Sequence, residues 1–160
     1  MRAFLFPGQG SQSVGMGKAL ADASGAAKEL FQEVDEALSQ HLFRIMVEGP
    51  DSDLTLTENA QPAIMANAIA TLRVLEKDFG AKLKDAASCV AGHSLGEYTA
   101  LHIAGAVSFE DGLRLVALRG AAMQEAAEAS PSGMVALIGA DEESASDLCT
   151  KVLGKLESGD

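Results

Sequence analysis

Apolar residues in this chain fall into short unbroken runs closed by glycine turns and longer stretches with helical spacing. Arg2 to Phe6 (RAFLF) is of the first kind and stops at PGQGSQ, so it reads as a buried strand delivering its carboxyl end into a glycine-rich loop. From about Lys18 to Leu42, the positions Leu20, Leu30, Phe31, Val34, Leu38 and Leu42 approximate helical spacing, interrupted near Ser24 and Gly25, which predicts two helices. The following segment, EGPDSDLTLTENAQP, is polar and carries turn residues. Pro62 is then assigned the first position of a mostly apolar helix running through IMANAIATLRVLEKDF to a stop at Gly80, because a proline there gives up an amide that would be unpaired anyway.

Ala86 to Ala91 is the next strand, followed by a glycine turn and an Ala-rich helix from Leu95 to about Gly105. Ser108-Phe-Glu-Asp111 resembles a capping box and opens a further helix to about Glu128. Beyond SPSG, Met134 to Ala140 (MVALIGA) reads as a strand, and DEESASDLCTKVLGKL as a helix whose acidic start suits its N-terminus. A lone strand and helix cannot bury their own apolar faces, so the segment from Gly133 onward reads as the opening of a second unit. The expected division is residues 1–128 and 129–160.

With 48% hydrophobic residues, 4% aromatics and no Trp, the core must be built from Ala, Leu, Val, Ile and Met, as in helix-covered parallel sheets. The fold class is therefore α/β, with a mainly parallel sheet and flanking helices. A net charge of -11 opposes broad attraction to nucleic acid or to an anionic membrane. Lys77, Lys82 and Lys84 form the densest basic cluster, read as a solvated helix end rather than a docking patch. Cys89 and Cys149 lack CxxC spacing, which suits a reducing compartment, and the opening MRAFLFPGQG fits neither a signal peptide nor a membrane span, so a cytoplasmic location is expected.

Candidate chemistry centres on VAGHSLGEYTA, residues 90–100. A strand, then G-x-S-x-G, then a helix is the pattern of a nucleophile elbow, in which the positions two before and two after the serine must lack bulky side chains. Gly92 and Gly96 meet that demand around Ser94. The turn lifts the Ser94 hydroxyl into the open, and the amide of Leu95 at the helix N-terminus can bind a negative oxygen. The competing reading makes Ser94 a helix N-cap on a tight turn. A second donor can come from the PGQG loop, at the amides of Gln9 and Gly10, if the first two strands are neighbours. GQGSQSVG is not a phosphate loop, since it lacks the terminal GK[ST] and the third glycine of GxGxxG would fall on Ser13.

Arg119, within the apolar LVALRGAAM, either lays its stem along the surface or waits as a cation for an anion. Facing the elbow, it would grip a carboxylate through two parallel hydrogen bonds and select acyl groups bearing a second acid. The base is harder to find. His93 adjoins Ser94 on the turn, His102 is roughly 12 Å along the helix at 1.5 Å per residue, and His41 reads as a surface or helix-end residue.

FPGQGSQ near the start, NAQPAI at Asn59 to Ile64, GHSLGEYTA around Ser94 and LRGAAMQ at Leu118 to Gln124 together resemble the malonyl-CoA:acyl carrier protein transacylases. The resemblance runs the whole length of the chain, although acyltransferase domains of fatty-acid and polyketide synthases share most of these motifs. It implies a hydrolase-like large subdomain, of which 1–128 is the N-terminal part, and an inserted ferredoxin-like small subdomain, of which 129–160 supplies the first strand and helix. It also implies that Ser94 carries the malonyl group from coenzyme A to the phosphopantetheine thiol of acyl carrier protein in fatty-acid biosynthesis. On the same basis the amides of Gln9 and Leu95 form the oxyanion hole, Gln61 lines the pocket and Arg119 pairs with the free malonyl carboxylate. The family's catalytic histidine lies in a later segment, which makes the remainder of the same enzyme an expected partner. No metal or redox cofactor is expected, and coenzyme A enters as the thioester substrate. The alternatives are a serine esterase or thioesterase, and an inactive truncated fragment.

Overall fold

A computed structural model of the chain describes residues 2–129, 135 and 137–158. Contacts divide the chain into two units, Met1–Ala129 and Ser130–Asp160. In the first, β1 (Ala3–Phe6) is followed by α1 (Lys18–Ala23), α2 (Gly25–Leu38), α3 (Leu42–Glu48), α4 (Asp51–Thr55), α5 (Thr57–Lys77) and α6 (Leu83–Ala86). Then come β2 (Cys89–Gly92), α7 (Gly96–Ile103) and α8 (Phe109–Glu128).

The two strands pair in parallel, with Ala3 opposite Cys89 and Phe6 opposite Gly92. Their carboxyl ends therefore lie side by side, which brings the glycine loop after β1 next to the turn after β2. Strand alternation puts Phe4, Phe6 and Val90 on one face, packed with Leu72, Leu83, Ala100 and Ile103. Leu5, Cys89 and Ala91 on the other face are exposed.

The larger core gathers Leu30, Phe31 and Val34 of α2, Leu42 and Met46 of α3, Leu54 of α4, Met65, Ala66 and Ile69 of α5, and Leu113 and Val116 of α8. Helix α5 is buried on nearly every side through its first half, which is why its sequence there carries so little charge. Two glycines eight residues apart on α8 let that helix press against α5. A Cβ on Gly112 would lie 2.9 Å from Met65 Cε, and one on Gly120 would lie 2.7 Å from the Thr57 carbonyl oxygen.

Local chemistry sets most boundaries. Ser24 ends α1 and caps α2, its side chain accepting from the Ala27 amide at 3.4 Å. Ser108 caps α8 by accepting from the Asp111 amide at 3.1 Å, as the sequence predicts. The helical pattern expected to reach Leu42 breaks earlier, where Ser39 takes a left-handed φ of 51°. A separate helix, α3, then begins at Leu42.

The expectation for Pro62 is corrected. Helix α5 starts at Thr57, so Pro62 sits inside it rather than at its first position. The polar stretch before it is itself helical, because Asp51 and Asp53 favour the N-terminus of α4 and the Asn59 side chain donates to the Asp53 carbonyl at 2.9 Å, stapling α4 to α5. The strand expected over Ala86–Ala91 likewise starts at Cys89, after the single helical turn of α6.

In the second unit, α9 (Glu142–Ser158) begins where Asp141 Oδ1 accepts the Ser144 amide at 2.8 Å. Of the strand expected over Met134–Ala140, Met134 and Ala136 lie outside the described residues, and Ile138–Gly139 is a turn with Gly139 at φ 79°.

Candidate active site

Ser94 stands at the junction of β2 and α7 with φ 54°, a left-handed conformation that costs a non-glycine residue on the order of 1 kcal/mol or more. The flanking glycines show why the turn is so tight. A Cβ on Gly92 would fall 1.9 Å from the Gly96 carbonyl carbon, and one on Gly96 would fall 2.3 Å from the Phe6 carbonyl oxygen. The His93 amide donates to Phe6 O at 3.0 Å, continuing the β1–β2 ladder into the turn. The N-cap reading of Ser94 does not hold: Leu95 occupies that position of α7, no side chain caps the helix, and the Ser94 side chain is exposed.

The glycine loop after β1 lies against this turn, as the pairing of the strands requires. A Cβ on Gly8 would come within 2.6 Å of His93 Nδ1. Within the loop, Ser11 Oγ donates to Gly8 O at 2.9 Å and the Gly10 amide donates to Gln12 Oε1 at 2.8 Å. Gly10 is therefore already engaged, which removes one of the two sequence candidates for an oxyanion donor. Among the described residues, neither the Gln9 nor the Leu95 amide has a hydrogen-bond partner.

Arg119 extends toward the turn rather than along the surface. Its Nη2 donates to Ser94 Oγ at 3.0 Å and its Nη1 donates to Gln61 Oε1 at 2.6 Å. Gln61, on α5, is fully buried, and its Nε2 donates to Met123 Sδ at 3.3 Å, one turn along α8 from Arg119. The guanidinium is thus aimed by a buried amide that is itself held from the helix bearing the arginine.

Residues not singled out from sequence also belong to the site's frame: Thr57, Met123 and Gln124. The available signal is periodic for one pair, since Arg119 and Met123 stand at i and i+4 and share a helix face, whereas Gln124 is turned about 100° from Met123.

No histidine among the described residues bonds to Ser94. His93 is exposed, His102 Nδ1 lies 3.1 Å from the Val107 carbonyl oxygen, and His41 Nδ1 lies 3.9 Å from Asp35 Oδ2. Lys77 closes α5, about 24 Å from Gln61 at 1.5 Å rise per residue, and Lys82 follows at the start of α6, so neither stands near the Gln61–Arg119 pair. Among the described residues no group of His, Cys, Asp and Glu is arranged to hold a metal ion.

Residues 3–156 match the acyl transferase domain family. The chain is 46% identical over 153 residues to malonyl CoA-acyl carrier protein transacylase of Bacillus subtilis (strain 168), covering 94% of this chain and 46% of that protein. It is 43% identical over 147 residues to the same-named protein of Salmonella typhimurium, covering 92% of this chain and 46% of the relative. The chain thus spans about half the length of the curated relatives it matches (46% of each). Among solved structures it is similar to the acyl-carrier-protein-S-malonyltransferase of Bartonella henselae, at 47% identity and TM-score 0.82, covering 97% of this chain and 49% of that one. It is also similar to a malonyl-transacylase solved in complex with its type II polyketide-synthase acyl-carrier protein, at 42% identity and TM-score 0.78, covering 94% of this chain and 47% of that one.

Proposed function

Because this chain belongs to the acyl transferase domain family, with the hydrolase-like fold of its malonyltransferase neighbours, we propose that it is the nucleophile-bearing part of an enzyme that moves a malonyl group from coenzyme A to acyl carrier protein. The observation that carries this reading is the 3.0 Å hydrogen bond from Arg119 Nη2 to Ser94 Oγ. A guanidinium fixed beside an exposed serine gives an acyl group two anchors: its thioester carbon at the hydroxyl and its distal carboxylate on the cation.

In the proposed cycle Ser94 Oγ attacks the thioester carbonyl, and the developing oxyanion is taken by the amides of Gln9 and Leu95. Collapse expels the coenzyme A thiol, which takes the proton that left the serine, and leaves a malonyl ester on Ser94. The phosphopantetheine thiol of the carrier protein then attacks that ester and regenerates the hydroxyl, which gives ping-pong kinetics. The proton acceptor is assigned to a histidine of the later segment that the family resemblance implies, in agreement with the arginine, rather than a histidine, bonding the hydroxyl here. Residues 129–160 are assigned to the start of the family's small subdomain. The free cysteines Cys89 and Cys149 suit a reducing, cytoplasmic setting. No helix among the described residues is long and apolar enough to cross a membrane.

The reaction is tested by incubating the protein, with the histidine-bearing segment present, with malonyl-CoA and holo acyl carrier protein, then weighing the carrier. Malonylated carrier is expected. Free malonate with unmodified carrier would show a hydrolase instead.

A further inference from the structure

Helix α5 begins with a difficulty. The first amides of a helix have no partner within it, and Leu56, at the N-cap of α5, has no side chain to offer them. The acceptor comes instead from α8: Gln124 Oε1 receives the Thr57 amide at 3.3 Å. The approach that makes this possible is set one turn earlier on α8, where Gly120 has no Cβ to collide with the Thr57 carbonyl. Thr57 is thus held to α8 through its own backbone. Its hydroxyl accepts from Gln9 Nε2 at 3.3 Å, across 48 residues of sequence.

We propose that Thr57 is a positioning residue for the oxyanion loop, tying the side chain of Gln9 to the helix pair that also carries Arg119 and Gln61. The inference rests on the acyl-transfer reading above and deepens it. Beside Gln9 the loop's other hydrogen bonds, from Ser11 to Gly8 and from Gly10 to Gln12, are internal, and the main chain reaches a helix only at Gly15, whose amide donates to Met46 O of α3 at 2.8 Å. The Gln9 amide must nevertheless stay aimed at the oxygen that becomes negative, because a displacement of about 1 Å at such a contact can cost ~100-fold in rate. The bond to Thr57 supplies an anchor at Gln9 itself. The stretch LRGAAMQ then acts as one bracket: Arg119 meets the nucleophile, Met123 holds Gln61, and Gly120 and Gln124 hold Thr57.

The test compares Thr57→Val, which keeps the branched shape and removes the hydroxyl, with Thr57→Ser, which keeps the hydroxyl. Two readouts are taken: amide hydrogen exchange of the segment containing Gln9, and malonyl transfer by the protein assembled with its histidine-bearing segment. Thr57→Val is expected to speed exchange in that segment and to lower kcat by about 10-fold or more with little change in KM for malonyl-CoA, since the oxyanion contact forms only in the transition state. Thr57→Ser should restore both. Gln9→Ala, which deletes the side chain and keeps the amide, should reproduce Thr57→Val, and the double variant should add nothing further. Equal behaviour of the Val and Ser variants, or additive losses in the double variant, would overturn the inference. Exchange needs no turnover, so a parent protein that fails to transfer malonyl counts against the acyl-transfer reading alone, while unchanged exchange in Thr57→Val counts against the role of Thr57.

Discussion

Arg119 and Ser94, 25 residues apart in sequence, are joined by a 3.0 Å hydrogen bond from the guanidinium to the hydroxyl. The pairing separates two tasks that a serine site must perform. The cation cannot take the serine's proton, so it does not serve as the base; what it can do is read the far end of an acyl group. Arg119→Ala should therefore reduce malonyl transfer relative to acetyl transfer by a factor of about 10 to 150, corresponding to the ~1.5–3 kcal/mol of one charged hydrogen bond. Parallel rate measurements on the two thioesters check this, and equal losses would remove the specificity role.

Gln61 sets the aim of that cation. Gln61→Glu puts a carboxylate against Arg119 Nη1 in place of a neutral oxygen, and a buried carboxylate should pair with the guanidinium in competition with substrate. The expected outcome is a KM for malonyl-CoA raised by about 10-fold or more, with acetyl transfer less affected. A variant with unchanged malonyl KM would show that the Gln61 contact does not govern substrate pairing.

The elbow stores backbone strain at Ser94, at φ 54°. Glycine relieves it and alanine does not, so Ser94→Gly should be more stable than Ser94→Ala by roughly 1 kcal/mol in chemical denaturation, with both unable to form the acyl-enzyme. By contrast, Gly96→Ala drives a Cβ to 2.3 Å from the Phe6 carbonyl oxygen and should prevent folding of the β1–β2 junction. Equal stability of the two Ser94 variants would mean the strain is relaxed in solution.

Away from the site, Asp35 in the last turn of α2 gives a pH-dependent term. Burial pushes its carboxyl above the usual range, partly opposed by the hydrogen bond from the Phe43 amide and by His41. With the folded pKa raised, the folded state holds the proton more tightly than the unfolded chain, so this residue's contribution to stability falls as pH rises through the folded value and stays low at neutral pH. Asp35→Asn, which can still accept from the Phe43 amide, should be more stable than the parent at pH 7. The difference should shrink as pH approaches the ordinary carboxylate range near 3.8. Denaturation at several pH values measures it, and a constant difference would exclude the titration of Asp35 as its source.

What the sequence made legible was whatever a few neighbouring residues decide. Gly92-x-Ser94-x-Gly96 specifies its own turn, Ser24 and Ser108 mark their own helix starts, and adjacent parallel strands carry the Gln9 loop to the elbow. Pro62 misled because its preference for a helix start is weaker than the packing that buries α5 from Asn59 onward. Thr57 stayed hidden because its two partners lie 48 and 67 residues away, and only the crossing of α5 and α8 brings them together. Sequence alone makes Gly10 as suitable a donor as Gln9; the Gln12 side chain on the Gly10 amide separates them.

The most direct measurement is to expose the protein, with its histidine-bearing segment, to malonyl-CoA and locate the acyl group by peptide mass mapping. A single malonyl ester on Ser94, absent from Ser94→Gly and markedly reduced in Arg119→Ala, is the predicted result. A malonyl group that settles on another residue, or that loads Ser94→Gly as well as the parent, would contradict the account.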